Sequence, residues 1–115
     1  MDLLALLPDV KAYLGRGALP GVPHWDSAQP FEVAPLAQGE YNLNYLVHQE
    51  GQRWVLRVNI GSQIQRDDQI VYEYDALRLL ESTGVTPQPY DVDDSREILP
   101  YGALAESYLP GETFH

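Results

Sequence analysis

The chain has 115 residues, seventeen of them acidic and seven basic, for a formal net charge of −10, with 44% hydrophobic residues and no cysteine. A single domain of this length buries roughly two-thirds of its unfolded surface in one core, and the lack of cysteine excludes a disulfide framework or a thiolate zinc site. With Lys11 the only lysine, nucleic acid and anionic membrane are poor partners, because phosphate backbones demand basic surface. A nucleotide is not excluded, since it needs only one or two local cations and backbone N–H groups.

Leu3, Leu6, Leu7, Val10, Tyr13 and Leu14 recur on one helical side, with Gly15 as a stop. The segment predicts a short amphipathic helix that docks on something. Its start lacks a basic n-region, carries Asp2 and is broken by Pro8-Asp9, unlike a signal peptide. No stretch approaches the ~18 apolar residues of a membrane span, and the expectation is a cytoplasmic protein. Residues 15 to 35 are rich in Gly and Pro, and Trp25 and Phe31 argue that this stretch is irregular but packed. Phe31 to Ala37 predicts a strand that enters the turn Gln38-Gly39-Glu40-Tyr41-Asn42. Leu43 to Gln49 and Arg53 to Asn59 predict a β-hairpin about Glu50-Gly51-Gln52.

Asp67 to Gly84 predicts the main helix, with Asp67 as N-cap, Gly84 after its end and Ile70, Tyr74, Leu77 and Leu80 on the apolar side. Two further strands follow, near Tyr90 to Val92 and Glu97 to Tyr108, around a turn at Asp93-Asp94-Ser95. The expected fold class is α+β: an antiparallel sheet of about five strands, one main helix packed on it, and an N-terminal helix. Residues 1–30 form the N-terminal helix and extension, and residues 31–115 form the sheet domain.

Glu73 falls inside the apolar arc of the main helix, between Ile70 and Leu77. A carboxylate facing a core needs a cation or hydrogen-bond donors. Arg57, in the middle of a predicted strand, is the nearest upstream candidate, with Glu81 a weaker competitor from the last helical turn. Glycine turn, strand cation and helix glutamate, in that order, match the way protein kinases position ATP. An isolated surface pair would contribute under about 1 kcal/mol and respond to no ligand.

The run Gln38-Gly39-Glu40-Tyr41-Asn42-Leu43-Asn44-Tyr45, then Trp54-Val55-Leu56-Arg57-Val58, Tyr72-Glu73 and Leu109-Pro110-Gly111-Glu112 resembles the N-terminal lobe of aminoglycoside phosphotransferase and choline kinase-like enzymes. The resemblance spans roughly residues 32 to 114 and rests on ordered spacing. It implies a kinase-like lobe that binds ATP, with magnesium in the whole enzyme, for transfer of phosphate to a hydroxyl of a small molecule. Gly39 and Asn42 would shape the loop over the triphosphate, and Leu43 and Val55 would roof the adenine. Arg57 would grip the α/β-phosphates with Glu73 orienting it, and the backbone of Glu106, Ser107 and Tyr108 would meet the adenine edge. Arginine stands where lysine is also found, and the loop holds one clear glycine.

The catalytic aspartate and metal ligands of such kinases belong to a second, C-terminal lobe. The only His-x-Asp, at His24-Trp25-Asp26, precedes the glycine turn and has Phe31 where asparagine is needed. Asp26 reads as a loop residue, His48 as a surface strand residue, and Asp91, Asp93 and Asp94 as a solvated turn. The expectation is therefore an ATP-binding lobe, binding nucleotide weakly if at all and inactive without the catalytic lobe. The competing expectation is a non-catalytic module, self-associating or partner-binding through an exposed apolar surface near Tyr101 to Phe114.

Overall fold

The computed structural model describes residues 3–39, 42–60, 69–80 and 87–108. Helix α1 (Leu3–Gly15) is followed by strands β1 (Glu32–Gln38), β2 (Asn42–Gln49) and β3 (Gln52–Asn59). Helix α2 (Gln69–Leu80) precedes β4 (Pro89–Asp93) and β5 (Gly102–Ser107). The strands form one sheet in the order β1-β2-β3-β5-β4, every neighbouring pair antiparallel. The α+β class, the five strands and both helices are as the sequence predicts. Asp67, Glu81 and Gly84, offered above as caps and competitor, lie outside the described residues, as do Glu40, Tyr41, Leu109-Pro110-Gly111-Glu112 and His115.

Period-two alternation sorts the side chains of the sheet into two faces. Leu43, Tyr45 and Val47 of β2, Trp54, Leu56 and Val58 of β3, and Ala103 and Ala105 of β5 join Leu6, Val10, Tyr13 and Leu14 of α1 in the main apolar core. The Tyr45 hydroxyl donates to the carbonyl of Leu3 at 2.9 Å, which pins the start of α1 to the sheet. Gly15 is the last helical residue, and Gly17, at φ 85°, takes the left-handed conformation that turns the chain away.

The irregular segment after α1 is packed, as Trp25 and Phe31 require. Trp25 meets Phe31 and Trp54 edge-on, at centroid distances of 5.0 and 5.4 Å. Gln49, at the end of β2, fixes the loop beneath them. Its Oε1 accepts from the Asp26 N–H at 3.0 Å and its Nε2 donates to the Asp26 carbonyl at 2.7 Å.

The hairpin turn is two residues long, because Gln49 already pairs with Gln52. Glu50 and Gly51 both have positive φ, at 49° and 81°, the handedness that matches the twist of two antiparallel strands.

Helix α2 lies on the opposite face from α1. Its seat is Gly102, where an added Cβ would come within 2.9 Å of the Ile70 Cβ, so close approach of helix to strand requires glycine there. Only the first turn is fully covered: Ile70 is 1% exposed, Leu77 half-buried and Leu80 46% exposed. Leu80 is thus not the core residue its spacing predicts, because α2 packs against β4 and β5 and its last turn runs past them.

The strand expected from Glu97 starts only at Gly102. Residues 94–101 form an irregular connection instead, since Pro100 lacks a ladder donor and Arg96 sits at φ 57°. Leu99 within it is 2% exposed and plugs the core.

Candidate functional site

Three elements bring their polar residues to the α2 face of the sheet. Arg57 sits in the middle of β3, cross-strand from Asn44 of β2 and Leu104 of β5. Two residues along β3 on either side lie Val55 and Asn59, and Asn42 of β2 pairs with Asn59. Glu73 projects from the second turn of α2 into this row. Arg57 Nη1 donates to Glu73 Oε1 at 3.2 Å. Asn42 Nδ2 donates to the same oxygen at 3.4 Å, and Asn59 Nδ2 to Glu73 Oε2 at 3.3 Å. Asn59 also donates to Asn42 Oδ1 at 3.2 Å. The helix glutamate therefore receives three donors from two strands, which answers why a carboxylate tolerates the inner face of α2.

A second carboxylate, unforeseen as an ionic partner, completes the site. Glu106 of β5 pairs with Val55 and shares its sheet face with Arg57. Its Oε1 lies 2.8 Å from Arg57 Nη2, and the side chain is 1% exposed. This is a close ion pair, and among the described residues neither Glu106 oxygen has a hydrogen-bond partner besides the guanidinium. Burial pushes the Glu106 carboxyl above the ordinary carboxylate range, the nearby charge of Glu73 pushes the same way, and Arg57 opposes both. One guanidinium thus serves two carboxylates, and the cluster carries one negative charge in excess when both are ionised.

Arg57 is 20% exposed and Glu73 17%. Both open onto a cleft of about 310 Å³ lined also by Ala37, Gln38, Gly39, Asn42 and Asn44. Glu106 does not line it, so it holds the guanidinium from the buried side.

The remaining expected site residues are distributed as follows. Gly39 lies at the mouth of the cleft, but it does not have positive φ, and its N–H is spent on the Asn42 carbonyl at 2.9 Å. What it offers a ligand is clearance. Val55 is buried on the Arg57 face, whereas Leu43 is fully buried in the α1 core. Leu43 therefore cannot roof a base beside Arg57: it is one residue past Asn42 in a strand, and one residue reverses the face. On the correct face β2 presents Asn44 and Leu46. The Ser107 N–H donates to the Gln88 carbonyl at 2.9 Å, and Ser107 Oγ accepts from the Gln88 N–H at 2.8 Å, so that N–H is already engaged. Tyr108 stacks under Arg53, with the guanidinium 5.2 Å from the ring centre.

Two aspartates of β4, expected in a solvated turn, instead hold the fold together. Asp91 Oδ2 accepts from the Gly21 N–H at 2.7 Å and Asp93 Oδ2 from the Tyr13 hydroxyl at 2.7 Å. Burial works against the Asp93 charge, but the hydrogen bonds from Tyr13 and Ser95 outweigh it and hold the carboxyl below its ordinary range. The Tyr13 hydroxyl is pushed upward by burial and by the same hydrogen bond. Asp26 makes a local turn, its Oδ1 accepting from the Ala28 N–H at 2.9 Å. Among the described residues no group of three or more His, Cys, Asp or Glu could hold a metal ion, and no helix is long and apolar enough to cross a membrane. Of the surface expected near Tyr101 to Phe114, Gly102 to Glu106 are buried in the inner strand β5, Tyr101, Ser107 and Tyr108 are half-buried, and residues 109–114 lie outside the described residues.

Comparisons with known proteins bear on the fold and the family. No curated protein matches the chain. Among solved structures, a candidate aminoglycoside phosphotransferase from Ralstonia eutropha JMP134 superposes with a TM-score of 0.64 at 17% sequence identity. The match covers 95% of this chain and 29% of that one, so the chain spans under a third of its length. Identity this low speaks for the fold alone. The family model for the phosphotransferase enzyme family matches residues 32–115, which takes in the whole sheet, α2 and the Arg57 cluster. On that match the chain belongs to the phosphotransferase enzyme family.

Proposed function

We propose that this chain is the nucleotide-gripping lobe of an ATP-dependent phosphotransferase that acts on a hydroxyl of a small molecule. The observation that carries the reading is Arg57, paired with Glu73 at 3.2 Å and opening onto the Gly39–Asn42 cleft. A guanidinium has five N–H donors in a planar fork, and the two carboxylates engage it through Nη1 and Nη2, which leaves donors for phosphate oxygens. Among the described residues the cleft offers one guanidinium and the side-chain amides of Asn42 and Asn44 as donors, with clearance at Gly39, a set suited to a polyphosphate chain. When bound, ATP supplies the phosphoryl group and a magnesium ion offsets its charge. The residues of this chain bind and orient. Arg57 grips phosphate, Glu73 fixes the guanidinium, Asn42 and Asn59 fix Glu73, and Val55, paired with Glu106 on the same face, would meet the base.

Catalytic base and metal ligands would come from a second lobe, and by itself this stretch binds nucleotide weakly and transfers nothing. The test is thermal unfolding with and without Mg-ATP. A small rise in melting temperature is expected, since ligand at ten times its Kd adds only about 1.4 kcal/mol. Arg57→Ala should abolish it. A rise that survives that substitution would rule out the Arg57 cleft as the nucleotide site.

A further inference from the structure

The role of Glu106 goes beyond the lysine or arginine to glutamate pairing of a kinase lobe. Its carboxylate is 1% exposed and lies 2.8 Å from Arg57 Nη2 on the side away from the cleft, and among the described residues neither oxygen has a donor besides that guanidinium. Among the described residues the charged groups that act on it are Arg57 of β3 and Glu73 of α2. The same sheet face also carries Asn42, Asn44 and His48 of β2, Arg53 and Asn59 of β3, and Glu32 of β1, with His48, Arg53 and Glu32 toward its far end. A buried carboxylate with one shared cation and no other donor is poorly compensated. A phosphate chain brought to the open side of Arg57 would compete for the only positive charge in the cluster.

We propose that Glu106 is a positioning residue that couples the grip of Arg57 on phosphate to proton uptake. Ionised, Glu106 draws the guanidinium inward and leaves the cluster one negative charge in excess. Protonated, it releases Arg57 to Glu73 and the ligand, and the excess disappears. The proton comes from solvent and goes to a Glu106 oxygen, with no covalent bond formed or broken among heavy atoms. By linkage, whatever favours the neutral carboxyl also favours phosphate binding, and bound phosphate favours the neutral carboxyl. The raised affinity of the buried Glu106 for a proton is consistent with such a role.

The inference rests on the nucleotide reading given above. Its test is calorimetric titration of Mg-ATP into the 115-residue chain and its Glu106→Gln variant between about pH 5.5 and 8, in buffers of differing ionisation enthalpy. Protonation of ATP itself contributes equally to both proteins, so the difference between them reports Glu106. The wild-type chain should take up more protons on binding than the variant. Glu106→Gln should bind several-fold tighter, up to about tenfold, near pH 8, and the two affinities should converge toward pH 5.5. Equal proton uptake with parallel pH profiles, or weaker binding by Glu106→Gln throughout, overturns the coupling while leaving the nucleotide reading intact. Absence of binding by both proteins at every pH overturns the nucleotide reading and the coupling together. Should Glu106→Gln fail to fold, wild-type proton uptake near pH 8, where Mg-ATP itself is fully deprotonated, reports Glu106, and no uptake there overturns the coupling.

Discussion

Replacing Arg57 with methionine tests the energetics of the cluster without disturbing the packing of the side-chain stem. It leaves two carboxylates facing one another, one of them 1% exposed. Removing one partner of a buried ion pair costs about 3–5 kcal/mol, but a carboxylic acid has an escape, because it can take up a proton. Neutralising a carboxyl of ordinary value 4.5 at pH 7 costs about 1.4 kcal/mol per unit, or roughly 3.4 kcal/mol. That sets the ceiling for Arg57→Met at pH 7, and the ceiling falls to roughly 1.4 kcal/mol at pH 5.5. Glu73→Ala should be far cheaper. Arg57 keeps Glu106, the repulsion between the carboxylates vanishes, and only three long hydrogen bonds of 3.2–3.4 Å are lost, about 1 kcal/mol in all. Urea unfolding followed by Trp25 and Trp54 fluorescence reads the difference. With a slope near 2 kcal/mol per molar, the midpoint should drop by about 1.5 M for Arg57→Met and about 0.5 M for Glu73→Ala at pH 7. Equal drops for the two variants, or an Arg57→Met penalty as large at pH 5.5 as at pH 7, would refute the shared-arginine account.

Two further outcomes follow from the packing. Gly102→Ala should cost about 1–3 kcal/mol by overpacking against Ile70, and Ile70→Ala introduced with it should recover part of the loss in thermal melts. Tyr13→Phe removes the donor that helps depress Asp93. A carboxyl whose folded value lies below its unfolded one stabilises the fold above the unfolded value, and that contribution is lost as pH falls through the folded value. The variant should therefore be about 1–2 kcal/mol less stable at pH 7 and no worse than wild type once acid has protonated Asp93. A deficit that stays constant down to pH 2 would contradict it.

What could be read in the sequence was whatever repeats with a backbone period. Leu6, Val10, Tyr13 and Leu14 mark α1 at helical spacing, Leu43, Tyr45 and Val47 mark β2 at period two, and a single acid out of place on α2 led to Arg57. Contacts between elements distant in sequence carry no period. The Gln49 hold on Asp26, the Tyr13 bond to Asp93 and the seating of Ile70 on Gly102 join residues 23, 80 and 32 positions apart, and nothing local announces them. Leu43 is a different case. Counting by two from Asn42 places it on the α1 face, so an apolar residue directly after the loop is one residue out of phase with a roof beside Arg57. Glu106 also had a readable signal. It interrupts the run Gly102-Ala103-Leu104-Ala105, where an acid is as anomalous as Glu73 is on its helix, but its expected backbone role hid the side chain.

The two acids and the arginine explain one another. A lysine ammonium is a compact point charge, suited to one carboxylate and one phosphate at a time. Arg57 presents a flat fork, with Nη1 toward α2 and Nη2 toward β5, and so can lie between acids on two different elements. Glu106 in turn is tolerable in the middle of a sheet only because that fork reaches it, for Glu73 alone would be a second negative neighbour. Had the cation been lysine, the inner carboxylate would stand nearly uncompensated, and selection would favour an apolar residue at position 106. Arginine on β3 and glutamate at the end of β5 are therefore one feature of this chain, a single planar cation shared by acids on two elements.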